Sequence, residues 1–239
     1  KKRVEVADRE RVLGWARFWQ CEWKRRAYRY YDTGTAGSIA ILNAAGGLPS
    51  YNFSSGVFEG ASEISGERIR DAALVGRKGC FACPIRCKRV VRWDGKFSVD
   101  PKYGGPEYEA IAAFGSDCGI GDLKAVAKAN EICNRYGIDS ISTGASIAFA
   151  MECFECGILS TKDLDGIELR FGNAAAMVQA VELIGRREGF GDLLARGSYR
   201  AAQAVGRGTE KYVMHAKGQE IPMHEPRIKY GLGLGYAVS

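Results

Sequence analysis

Histidine is almost missing from this chain of 239 residues: only His215 and His224 occur, and they form no pair. Zinc sites use four Cys or His ligands in paired spacing, so this scarcity counts against zinc. Long apolar runs are missing too. No stretch of about 18 apolar residues exists, so nothing is expected to span a bilayer. The opening Lys1-Lys2-Arg3-Val4-Glu5 lacks the apolar centre of a secretory signal. Concentrated charge of one sign is scarce as well. The net charge is +6, with clusters only at Lys1-Lys2-Arg3 and Lys24-Arg25-Arg26. Nucleic-acid binding is therefore not expected, although a mildly positive surface suits an acidic redox partner. Internal repeats and low-complexity linkers are lacking. There is no initiator Met, and the end at Ala237-Val238-Ser239 is abrupt, so a fragment cut at both ends is expected.

What is there is an apolar fraction of 46%, enough for a packed core in one large domain or two small ones. Eight cysteines stand at 21, 80, 83, 87, 118, 133, 153 and 156. A disulfide scaffold would normally be smaller and secreted; cysteines devoted to metal in a reducing compartment fit better. Most of the chain reads as helix. Arg11 to Tyr31 forms a long aromatic-studded helix in this reading, and Gly34 to Ala45 a short buried one stopped by Gly46-Gly47-Leu48-Pro49. Ser50 to Gly60 is irregular, and a short helix lies around Ile69 to Leu74. Asp122 is placed to cap a helix whose apolar residues recur at helical spacing, and Gly137 to end it. Asp139 caps the next, which runs to Gly157. Two more span Ala174 to Arg187 and Gly191 to Val205. The one clear strand signal is Lys88 to Trp93, then Asp94-Gly95, then Lys96 to Val99, a hairpin closed on a type I′ turn. The expected fold is mainly α: a multihelical domain with one small β-hairpin, as a fragment of a larger multi-domain enzyme.

Cys80-x2-Cys83-x3-Cys87 lies within Gly79 to Lys88. Closely spaced thiolates wrap one face of a cubane cluster and a distant fourth closes the other. Arg86, Lys88 and Arg89 would offset the cluster's negative charge. Buried thiols or a zinc site are the competing readings. The fourth ligand is open among Cys118, Cys133, Cys153, Cys156 and a residue beyond the chain. Cys153-Phe154-Glu155-Cys156 repeats the Cys-x2-Cys spacing inside a helix, where packing cysteines are expected rather than a redox dithiol.

Four stretches carry a family likeness. Gly104-Gly105-Pro106-Glu107-Tyr108-Glu109, Asn134 to Gly144, Arg187 to Asp192 and Glu220 to Arg227 resemble, in order, segments of the aldehyde:ferredoxin oxidoreductase family. That family holds tungsten between two pterin dithiolenes beside a 4Fe-4S cluster, oxidises aldehydes to carboxylic acids and passes electrons to ferredoxin. The resemblance implies that Cys80, Cys83 and Cys87 bind the cluster, with the fourth cysteine beyond Ser239. It makes residues 1–211 the central helical domain and 212–239 the start of a C-terminal helical domain. The family's pterin motif Asp-x-x-Gly-Leu-Asp becomes Asn134-x-x-Gly137-Ile138-Asp139 here, with Asn134 replacing a carboxylate. By the same likeness Glu109 is the base that deprotonates attacking water, Tyr108 a donor to the substrate carbonyl, and His224 a pocket residue. The family's active-site histidine would lie just past the chain's end. Lys128-Ala129-Asn130-Glu131 lacks the Glu-x-x-His through which some relatives bridge subunits with iron, so no such bridge is expected, although other homo-oligomers are possible. A cytoplasmic, anaerobic setting follows from the resemblance. Tungsten is not distinguished from molybdenum, because the pterin sulfurs supply most of the coordination. The competing functions are the tungsten subunit of a benzoyl-CoA-type aromatic reductase and a non-catalytic Fe-S or zinc module.

Overall fold

The computed structural model describes residues 5–238; Lys1-Lys2-Arg3 lies outside them. Among the described residues there are ten α-helices and two small two-stranded sheets. Helix α1 (Arg9–Thr33) starts where the Asp8 carboxylate accepts from Arg11 N–H, and it kinks at Ala27. Its turns around Trp15, Phe18 and Trp19 stay exposed, the rings meeting edge to face. A 3-10 turn (Thr35–Ser38) leads into α2 (Ile39–Ala44). This segment was expected to be buried throughout. Ile39 is, but Ile41 faces out, because six residues of helix have two sides and only one meets the core.

Ser65 caps α3 (Gly66–Ala73), which runs directly into β1 (Leu74–Lys78). The antiparallel partner of β1 is β2 (Lys88–Val91), in the register Leu74 to Val91 and Lys78 to Lys88. The expected hairpin is therefore corrected. Asp94-Gly95 does turn the chain, but it closes only the single bridge Trp93 to Val99. The ladder instead joins residues before and after the cysteine triplet, so Gly79 to Cys87 is the hairpin's own loop. Four residues between Gly95 and Asp100 offer too little apolar surface to outcompete β1.

The body of the molecule is a helical stack. Helix α4 (Tyr108–Phe114) is buried except at Glu109 and crosses α6 (Ser140–Glu155). A Cβ on Gly144 would stand 2.6 Å from Ala113 Cβ, so the glycine is what lets these two backbones approach. Helix α5 (Leu123–Tyr136) is capped by Asp122, ends at left-handed Gly137, and packs on α7 (Ala174–Arg186). The helix expected from Gly191 to Val205 is two, α8 (Phe190–Leu194) and α9 (Ser198–Val205). Gly197, at φ +88°, breaks them, and the buried carboxylate of Glu220 accepts from Ser198 N–H there. Strands β3 (His215–Ala216) and β4 (Gln219–Glu220) form a second short hairpin, and α10 (Tyr230–Val238) follows. Cys153 is buried as packing requires, whereas Cys156, capping α6, is exposed.

Ser50 to Gly60 is irregular as read, but not loose. Tyr51, Asn52 and Phe53 are three successive non-glycine residues in the left-handed region, a costly arrangement for L-residues. Ser116 and Asp117 hold them: the N–H groups of Tyr51 and Asn52 donate to their carbonyls, and that of Phe53 to the Asp117 carboxylate.

Candidate active site

Glu109 sits in the first turn of α4, and the segment 222–228 crosses over it from the far end of the chain. His224 Nε2 lies 3.0 Å from Glu109 Oε1, and the N–H of Met223 donates to Glu109 Oε2 at 2.8 Å. The Tyr108 ring stacks on His224, with centroids 5.3 Å apart. The three residues expected to be catalytic thus come together. Lys229 Nζ is 2.7 Å from His224 Nδ1. An ammonium has only protons to offer, so Nδ1 accepts, and the ring proton sits on Nε2, donating to Glu109. Glu109 is left as an acceptor fixed by two donors, the arrangement of an oriented carboxylate base.

Tyr108 departs from its expected role. Its hydroxyl donates to Met223 O at 2.6 Å and the ring is 4% exposed. Burial, then the Glu109 charge, push the phenol well above its ordinary range. With its proton engaged, Tyr108 acts as the platform under His224 rather than as a donor to substrate. Residues the sequence left unremarked complete the site. Thr35 and Glu107 hydrogen-bond to each other, and Tyr30, Thr35, Ser38, Glu107, Glu109 and His224 border a cavity of about 290 Å³. Tyr236 on α10 stands within reach of Glu109, whose charge, after burial, raises its phenol. Only the polar identity of Thr35 and Lys229 could have signalled them, and polar residues at surface spacing carry no such signal.

Glu107 and Glu109 also border a second cavity, of about 400 Å³, with Lys78, Lys88, Arg89, Asn134 and Ile141. Glu109 thus shares one hollow with the strand residues that flank the cysteine loop and with the facing ends of α5 and α6. Of the residues expected to hold a pterin, Asn134 borders this hollow, its amide donating to Tyr103 O at 3.0 Å. Gly137 turns the chain at φ +70°, and Asp139 accepts from Ser142 N–H at 2.6 Å as the cap of α6. Ile138 and Asp139 face a separate depression beside Arg187. The motif is split between two hollows rather than gathered in one.

In the cysteine loop, Cys80 is exposed while Cys83 and Cys87 are half-buried. Ala82 and Arg86 take left-handed conformations that fold the loop tightly. Burial raises the Cys87 thiol first, then the Glu107 charge, then Cys83 and Cys80, so the three sulfurs feel one another. Among the described residues no three Cys, His, Asp or Glu side chains already close on one point. Cys118, Cys133 and Cys153 are at most 1% exposed inside the core, so they cannot turn to join the loop. Cys156 is at the opposite end of α6 from the hollow, about 24 Å for 16 residues of helix. The loop alone offers three thiolates, soft donors suited to iron–sulfur chemistry.

Arg89 is the most buried cation among the described residues, at 2% exposure. Its guanidinium donates to Cys87 O at 2.8 Å, Arg86 O at 3.1 Å, Tyr31 O at 2.7 Å, Asp32 O at 2.9 Å and Tyr30 O at 3.4 Å. It thereby joins the end of α1 to the end of the cysteine loop.

Residues 20–239 match the family described as aldehyde ferredoxin oxidoreductase, domains 2 and 3. The tungsten-containing aldehyde ferredoxin oxidoreductase of Pyrococcus abyssi is 41% identical over 247 aligned positions, covering all of this chain and 39% of the relative. That of Pyrococcus horikoshii is 43% identical across 86% of the chain and 33% of the relative. The aliphatic sulfonate oxidoreductase, WOR-like subunit, of Pyrococcus furiosus is 30% identical across 98% of the chain. The chain thus spans between a third and two fifths of the length of these curated relatives. In structure, the active-site complex BamBC of benzoyl coenzyme A reductase, bound to 1,5-dienoyl-CoA, superposes over 94% of the chain and 35% of its own, with a TM-score of 0.68 at 21% identity, a likeness of fold. Matched over nearly its whole length, the chain belongs to the aldehyde ferredoxin oxidoreductase family.

Proposed function

We propose that this chain is the part of a tungsto-bispterin oxidoreductase that carries the proton-handling carboxylate and three cluster thiolates. The whole enzyme would oxidise aldehydes to carboxylic acids and pass electrons through a 4Fe-4S cluster to ferredoxin. The observation that supports it best is Glu109, held by His224 and Met223 on a hollow that also takes Lys78, Lys88 and Arg89, the strand residues flanking the cysteine loop. Oxidation of an aldehyde with water gives the acid, two protons and two electrons. The bound metallopterin would supply the two-electron acceptor and the cluster the one-electron outlet. Glu109 takes the proton from attacking water. The Nε2–H of His224 keeps Glu109 oriented, and Tyr108 holds the imidazole flat. Asn134 is placed to donate or accept at a polar ring edge, while Asp139 reaches such a ring only by giving up its cap.

A second reading rests on the shared fold with the benzoyl-CoA reductase complex, in which the same hollow would serve an aryl thioester. The deciding experiment uses the full-length protein purified anaerobically. Tungsten and iron are measured per chain, and dye reduction is followed with aldehydes, sulfonates and aryl-CoA thioesters. Tungsten with about four irons and aldehyde-dependent reduction are expected. Iron without tungsten or molybdenum would reduce the chain to an electron-transfer module, and zinc alone would end the cluster reading.

A further inference from the structure

A buried guanidinium that donates to five backbone carbonyls is expensive to place. Three of its acceptors, Tyr30 O, Tyr31 O and Asp32 O, are among the last carbonyls of α1, at the negative end of the helix dipole. Arg77 Nε donates to Tyr31 O as well, at 3.0 Å. The other two acceptors, Arg86 O and Cys87 O, belong to the cysteine loop. Arg89 is also among the residues that border the hollow shared with Glu109. A Cβ on Gly34, which has φ +68°, would lie 3.2 Å from both Arg89 Nε and Cys87 O, so the chain at Gly34 leaves room for this strut and little else.

We propose that Arg89 is a positioning residue for the cysteine loop: it fixes Cys87 against the end of α1 and places a buried positive charge beside whatever group the thiolates hold. This rests on the cluster reading above. Two consequences separate. The fork geometry holds the Cys87 backbone, which keeps its thiol half-buried while Cys80 is exposed. The charge favours the reduced, more negative state of the bound group and so raises its midpoint potential.

The test uses the full-length protein with Arg89→Lys, Arg89→Met and Gly34→Ala. In metal-free protein, alkylation of Cys87 relative to Cys80 is read by mass spectrometry; in reconstituted protein, iron content and the midpoint potential are read by redox titration with electron paramagnetic resonance. Wild type is expected to protect Cys87. Arg89→Lys keeps a charge but lacks the fork, so protection is lost and iron retention falls. Arg89→Met also lowers the midpoint potential. Gly34→Ala displaces the strut without removing it and loses protection. Should Arg89→Met fail to fold, the lysine and alanine variants decide. Wild-type protection and wild-type potential in the variants would overturn the proposal. Absence of iron from wild type would instead remove the cluster reading, and the alkylation ratio would still judge the positioning role.

Discussion

Glu109, His224 and Lys229 form a hydrogen-bonded line in which each atom has one sensible proton assignment. Replacing Glu109 with Gln keeps the acceptor for Met223 N–H and removes the base, so aldehyde-dependent turnover of the full-length enzyme should fall by roughly 10²- to 10⁴-fold with circular dichroism unchanged. Replacing Lys229 with Met frees Nδ1 of His224. Nitrogen-15 spectra should then show the ring proton shared between both nitrogens, where the unsubstituted protein carries it on Nε2 alone. Asp117 offers a different test. It is fully buried, accepts from Phe53 N–H through one oxygen, and has no partner for the other among the described residues. Burial raises its carboxyl from 3.8 to about 7. Across that window the folded chain keeps a proton that the unfolded chain releases, so stability falls as pH rises through it and levels off above. The full effect is on the order of 4 kcal/mol. Asp117→Asn should flatten that part of the urea stability profile between the two values. Of the site, Glu109 and His224 were legible because motif and residue type coincide. Lys229 and Arg89 were not, since what each does depends on carbonyls or a ring brought from elsewhere in the chain.

At the level of elements, capping chemistry read true. Asp122 and Asp139 each start a helix, and Gly137 ends one. Those rules are local, spanning three or four residues, so the sequence alone expresses them. Strand pairing is not local, and there the reading failed. Asp94-Gly95 is a sound turn signal, but the pairing with β1 buries Val90 and Val91 and the bridge past the turn buries only Val99 on the far arm. The split of α8 from α9 follows the same logic, because Glu220 from another part of the chain supplies the acceptor that makes the break at Gly197 acceptable. The contact of α4 with α6 can be tested directly. Gly144→Ala puts a methyl 2.6 Å from Ala113 Cβ, an overpacking expected to cost about 1–3 kcal/mol, seen as a lower urea midpoint at an unchanged slope.

Taken whole, the molecule is a helical body tied across by a few very long-range bonds. Met223 N–H reaches Glu109 over 114 positions, the Asn52 amide reaches Tyr212 O over 160, and Arg227 reaches Phe53 O over 174. The mainly helical class was readable from composition and periodicity, but these ties were not, because no local pattern encodes a partner so far away. They also impose an order of events during synthesis. Helices α4 to α9 can consolidate from neighbours close in the chain, whereas the carboxylate's cradle cannot exist until Arg227 has left the ribosome and closed a loop through nearly the entire chain. Nascent chains arrested after Val205 should resist limited proteolysis through α5 to α7 while remaining cleavable around Phe53. The interval between those two states is a period in which the hollow lies open, its floor already built and its cover not yet made.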